Sequence, residues 1–107
     1  MTTFDKREEA FEKRFALDEE EKFKAVARRN KLLGLWAAEK LGIAGDAAAA
    51  YAKEVVAADF EPPGEGDVLH KVLNDLATKG NAVTEADIRA KMGELLAVAA
   101  MQVKAGT

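Results

Sequence analysis

The stretch EEEKFKAVARRNKLLGLWAAEKLG, residues 19–42, decides the fold class. Phe23, Val26, Ala27, Asn30, Leu33, Ala37 and Leu41 recur in it at the spacing of three and four that gathers side chains onto one face of an α-helix. Gly42 supplies the stop, since glycine enters the left-handed conformation that ends helices. Lys22 and Lys24 follow Asp18 and Glu20 by four residues and add two favourable pairs. The pattern predicts a long helix over residues 19–41. Leu32, Leu33, Leu35 and Trp36 cover too wide an arc for one buried stripe, so part of this stretch is enclosed on two sides or serves an interface, with Trp36 assigned to packing rather than to a ligand. Gly34 in mid-helix costs about 1 kcal/mol relative to Ala, which points to the close approach of a neighbouring helix or a partner, and Gly93 reads in the same way.

Outward from this segment the same periodicity repeats. Asp46 is placed to cap a second helix over residues 47–58, where small Ala faces with Tyr51, Val55 and Val56 suit close packing. FEPPGEG, residues 60–66, is the one connection with strong breakers. Asp67 opens a third helix whose core face is Val68, Leu69, Val72, Leu73 and Leu76, running to Gly80. Thr84 and Asp87 resemble a capping box, with Asp in place of the usual Glu, before a fourth helix carrying Ile88, Met92, Leu95, Leu96, Ala99 and Val103. No strand pattern competes, and residues 104–107 are expected to fray. Four amphipathic helices with short connections predict an all-α fold, a small four-helix bundle over residues 18–107.

The 107 residues suffice for one core, and 49% apolar with 33% charged side chains is a globular composition. A net charge of -3 disfavours polyanions as default partners. Absence of both Cys and Ser removes disulfides, thiolate metal sites and the usual nucleophile triads. The start of the chain has no apolar leader and no long uncharged stretch follows, so a soluble, intracellular protein is expected.

Residues 1–17 form a unit of a different kind. Residues 1–31 hold 17 of the 35 charged side chains and four of the five Phe. On a helical projection Phe4, Phe11 and Phe15 fall within about 40° of one another, an aromatic stripe flanked by both signs of charge. The stripe meets Asp18, Glu19 and Lys22 before becoming apolar again at Val26, so an amphipathic arm separable from the bundle is predicted. An isolated helix of this length is marginal in water, which favours ordering against a partner's groove. Packing back on the bundle, or extension of the first helix, satisfies the same stripe. Four basic and four acidic residues leave the arm no excess positive charge for a membrane surface.

Other candidate sites carry less. His70, the only His, lies off the main apolar face and reads as a surface or boundary residue rather than a catalytic base. The carboxylates at 18–21 are consecutive and point in different directions on a helix, so no metal site is expected. The third and fourth helices imitate a helix-turn-helix, but Glu85 and Asp87 at the start of the last helix would face phosphates, which argues against nucleic acid. Arg28, Arg29 and Lys31 form a basic cluster near Trp36; a solvated helix face is its simpler reading, and a hold on a nucleotide phosphate its sharper one.

The string ARRNKLLGLWAA, residues 27–38, preceded by FEKRFALDEE, residues 11–20, resembles the zeta subunit of alphaproteobacterial F-type ATP synthases. The likeness continues through DVL at 67–69, IRAKM at 88–92 and LL at 95–96, and so spans essentially the whole chain. It implies a four-helix bundle without catalytic activity that inhibits ATP hydrolysis by the synthase's catalytic head through its N-terminal segment. Carried over residue by residue, it implies that Phe4, Phe11 and Phe15 enter a crevice at a catalytic alpha/beta interface near the gamma rotor, while Arg7, Glu8 and Arg14 make charge pairs at the rim. It further implies no required cofactor, ATP or ADP as a ligand of the bundle, a monomeric free form, and a cytoplasmic place peripheral to the inner membrane through the synthase. Arg28, Arg29 and Lys31 are the nucleotide candidates by charge. An adenine-nucleotide-binding regulatory bundle without ATPase inhibition is the alternative function.

Overall fold

The computed structural model describes residues 17–59 and 66–106. All regular structure among them is helical: α1 (Glu19–Leu41), α2 (Gly45–Ala57), α3 (Gly66–Thr78) and α4 (Glu85–Ala105). The bundle architecture expected from the periodicity is the one observed. The aromatic arm lies outside the described residues except for Leu17.

Start and stop signals explain most helix boundaries. Asp18 stays extended and its carboxylate accepts the Glu21 backbone N–H at 2.8 Å, while the Glu21 carboxylate accepts the Asp18 N–H, a reciprocal cap. Gly42 ends α1 at a φ of 76°. Thr84 and Asp87 repeat the reciprocal cap at α4, and the backbone and hydroxyl of Thr84 hold the Asp87 carboxyl below the usual carboxylate range. The expected Asp46 cap is not formed. Gly45 takes a left-handed φ of 61°, the chain enters α2 earlier than expected from Ala44, and Asp46 falls within the first turn, where its charge meets the positive end of the helix.

α1 is the central element and packs chiefly against α2 and α4. The main core joins Leu33, Ala37, Tyr51, Val55, Val68, Leu69, Val72, Leu76, Ile88 and Met92 from all four helices. Leu41, Leu73 and Leu95 pack partly against it. A second, smaller cluster at the start of α1 consists of Leu17, Ala25, Ala99 and Ala100, with Leu32, Leu96 and Val103 beside it. Phe23, placed on the core stripe by spacing, is instead 60% exposed. It lies near the start of α1, where the narrow alanine cluster replaces the broad core.

Gly34 is where α1 and α2 touch. A Cβ on it would stand 2.6 Å from the Ala52 Cα and 3.2 Å from the Val55 Cγ2, so only a residue without a side chain permits this approach. The close approach expected from a mid-helix glycine is present, and its partner is α2. Across the bundle, the Tyr51 hydroxyl donates to Asp75 at 2.7 Å, and Lys71 pairs with the same carboxylate while lying over the Tyr51 ring. Burial and the Asp75 carboxylate push the Tyr51 phenol well above its ordinary value.

Candidate functional site

The outward face of α1 forms the floor of an open groove of about 930 Å³ between α2 and α4. Lys24, Arg28, Lys31 and Leu35 recur along α1 at helical spacing, so all four come to this face. Leu32 joins them from the same helix, Val56 from α2, and Gln102, Val103 and Gly106 from the end of α4. The groove thus has an apolar strip of Leu32, Leu35, Val56 and Val103 beside a basic row. Glu21 stands at one end, where its carboxylate accepts the Lys104 ammonium at 3.1 Å.

Each basic residue has a different setting. Lys24 pairs with Glu20 across one turn at 3.4 Å, both ends being exposed. Arg28 donates to the Gln102 side chain at 3.4 Å and so ties α1 to α4. Lys31 is exposed. Arg29 does not join the row. It is 1% exposed, a residue advance of about 100° having turned it away from Arg28 into the protein. Its Nε and one terminal nitrogen donate to the Asn30 side-chain oxygen at 3.1 and 2.9 Å. The Asn30 amide nitrogen in turn donates to Asp59 at 3.0 Å, which carries the network to the chain just beyond α2. Of the three residues grouped by charge in the sequence, the structure brings Arg28 and Lys31 together and assigns Arg29 to a buried polar link.

Trp36 packs at the edge of the main core, with Lys40 of α1 and Lys91 of α4 over its ring at 5.1 and 5.8 Å. Its role is the packing expected of it, with two cations covering its outer face. His70 is exposed on α3. Phe4, Arg7, Glu8, Phe11, Arg14 and Phe15 all lie outside the described residues. The residue that joins them to the bundle is Leu17, buried against the alanine cluster at the groove's Glu21 end. Nothing in the sequence singled out the groove as a unit. Its residues are legible only once Gln102, Val103 and Val56 are known to flank α1.

The family model described as ATPase inhibitor subunit zeta matches residues 1–102. The chain belongs to the ATPase inhibitor subunit zeta family. The match takes in the N-terminal segment as well as the bundle, and the family is one of regulatory subunits without enzymatic activity. A protein whose solution structure was determined by NMR is similar at 56% identity, over 79% of this chain and 96% of that one, with a TM-score of 0.68. No curated protein matches the chain. Among the described residues no helix is long and apolar enough to cross a membrane.

Proposed function

We propose that this zeta-family chain inhibits ATP hydrolysis by an F-type ATP synthase, inserting residues 1–17 at a catalytic alpha/beta interface near the gamma rotor. The family match over residues 1–102 carries the inhibitory role. The spacing of Phe4, Phe11 and Phe15 supports the arm as the inserted element, because on a helix it would set them on one narrow apolar face of the kind that a partner groove accepts. In this reading Arg7, Glu8 and Arg14 pair with charges at the rim of that crevice. The mechanism is mechanical: a wedge at one catalytic interface holds that site and the rotor in one state, and no bond in ATP is touched by this chain. A wedge that resists hydrolytic rotation more than synthetic rotation conserves ATP when the proton gradient falls. The free chain is monomeric in this reading, needs no cofactor, and works in the cytoplasm at the inner-membrane synthase.

The test is ATP hydrolysis by the purified alphaproteobacterial catalytic head, titrated with the full-length chain and with a version lacking residues 1–15. Saturable inhibition by the first and none by the second is expected, with circular dichroism showing both to be helical. Inhibition that survives the truncation would refute the role of the arm. A second reading, adenine-nucleotide binding to the bundle, draws on Arg28 and Lys31 sharing one groove. It requires saturable chemical-shift changes at that groove on titration with ATP; nonsaturating, salt-like shifts would dismiss it.

A further inference from the structure

α1 carries apolar side chains over an arc wider than its core contacts use, and the surplus faces the groove. Leu33 and Ala37 are buried in the main core, while Leu32 and Leu35 line the groove, where Leu35 is 38% exposed. Lys24, Arg28, Lys31 and Leu35 follow one another at intervals of four, three and four, the spacing with which one helix offers a seam to another. From Glu21 to Leu35 the groove follows α1 for about 21 Å at the helical rise, about four turns.

Charge in the groove runs against the character of the chain. The net charge is -3, yet the described lining residues include three cations, Lys24, Arg28 and Lys31, and one carboxylate. That carboxylate, Glu21, already accepts the Lys104 ammonium at 3.1 Å and the Asp18 N–H at 3.2 Å. Lys24 is paired with Glu20, but both side chains are largely exposed, and a pair of this kind contributes little and exchanges readily for another. Beside the basic row run Leu32, Leu35, Val56 and Val103. A ligand that satisfies both halves carries acidic and apolar groups side by side over about four turns. A nucleotide or a polynucleotide uses the cations and leaves the aliphatic strip idle, and no aromatic ring among the described lining residues offers a base a surface to stack on. A flat lipid surface does not reach a floor set between two flanking helices. A second copy would set its own basic row against this one.

We infer that the groove docks an amphipathic helix of a partner protein, one with acidic side chains three and four residues apart beside an apolar stripe. The mode is a helix laid in a groove, with the aliphatic strip supplying affinity and the basic row fixing register and steering approach. This surface belongs to the bundle and goes beyond the inhibitory reading, which places the contact in residues 1–17, and it does not depend on that reading.

The probe is a synthetic, hydrocarbon-stapled helix of about four turns with Glu at intervals of three and four beside a Leu stripe. Titrated into the isotope-labelled full-length chain, it is expected to shift the amides of Lys31, Leu32, Leu35 and Val103 saturably, while those of Val68 and Leu69 stay in place. Binding weakens as salt rises from about 20 to about 200 mM. It weakens about tenfold with Lys31→Glu, an exposed position whose substitution leaves the circular dichroism unchanged. Among peptides with a single Glu replaced by Lys, one regains that loss on the Lys31→Glu chain and binds the parent less well. Lys53→Glu, exposed on α2 away from the groove, has no effect. The inference is overturned by the absence of saturable shifts along the groove, or by equal binding of a peptide with Gln for every Glu. It is likewise overturned by saturable shifts there with ATP and none with the peptide, or by groove shifts that follow the chain's own concentration, which assign the face to a second copy. No ATPase is present in this experiment, so its failure leaves the inhibitory reading standing, and the failure of that reading leaves this one standing.

Discussion

Gly34→Ala measures how closely α1 and α2 are locked. On an unconstrained helix this substitution stabilises by about 1 kcal/mol, because Ala loses less conformational freedom than Gly. Here the new methyl would stand 2.6 Å from the Ala52 Cα, and that atom belongs to the backbone of a facing helix rather than to a flexible side chain. Relief requires the two helices to part by about 1 Å, which loosens dispersion attraction along the whole seam. The seam includes Leu33, Ala37 and Val55, all fully buried. Overpacking of this kind costs about 1–3 kcal/mol, and an obstacle in the backbone puts the cost at the upper end, about 3 kcal/mol. Subtracting the propensity gain leaves a net loss of about 2 kcal/mol, a fall in Tm of about 8–16 °C for a domain of this size. Urea unfolding followed by circular dichroism gives the same quantity at constant slope. The companion Ala52→Gly removes the methyl that lies 3.2 Å from the new side chain but leaves the nearer backbone carbon in place, so the double variant recovers only part of the loss. A Gly34→Ala protein as stable as the parent, or more so, would show that the helices do not meet here.

Two further substitutions probe the polar links. Tyr51→Phe removes the donor to Asp75 at a cost of about 1 kcal/mol, read in the same urea experiment. The phenol is raised above its ordinary value of 10.0, so its neutral form contributes stability that is intact below pH 10 and is lost as pH rises beyond it; the parent's decline above pH 10 is expected to flatten in Tyr51→Phe, and an unchanged alkaline profile would contradict this. Asn30→Ala withdraws the oxygen that receives two hydrogen bonds from a buried guanidinium, and a loss of about 2 kcal/mol is expected in urea, compared with under about 0.5 kcal/mol for the exposed control Lys53→Ala.

The sequence states the fold where local chemistry and burial agree. α1 spans the residues expected because a long apolar stripe is bounded by an acidic start and Gly42. Thr84 and Asp87 announced α4 because a capping box joins residues three apart and needs no tertiary partner. Asp46 misled because a left-handed Gly45 moved the helix start, and a glycine's conformation is invisible in its letter. Arg29 misled for another reason: arginine is seldom buried, and the Asn30 oxygen that receives its two hydrogen bonds belongs to a side chain anchored on Asp59, 29 residues away from Asn30. The groove shares that difficulty, since its α4 wall is far from Arg28 along the chain, with Gln102 74 residues away. The arm's aromatic stripe, by contrast, is a periodicity of the sequence whose residues lie outside those described.

The uneven division of apolar volume between the two clusters sets a gradient of local opening along α1. Among the described residues, side chains from three other helices hold the helix around Leu33, whereas Leu17, two alanines and a fringe of half-buried neighbours hold it around Ala25. Methyl groups of alanine contribute little when buried compared with leucine or methionine, so the turns nearest Leu17 separate at lower cost than those nearest Trp36. Fraying is therefore expected to begin at the Leu17 end of α1, with amide exchange quickening there first, while the Trp36 end of the helix stays closed.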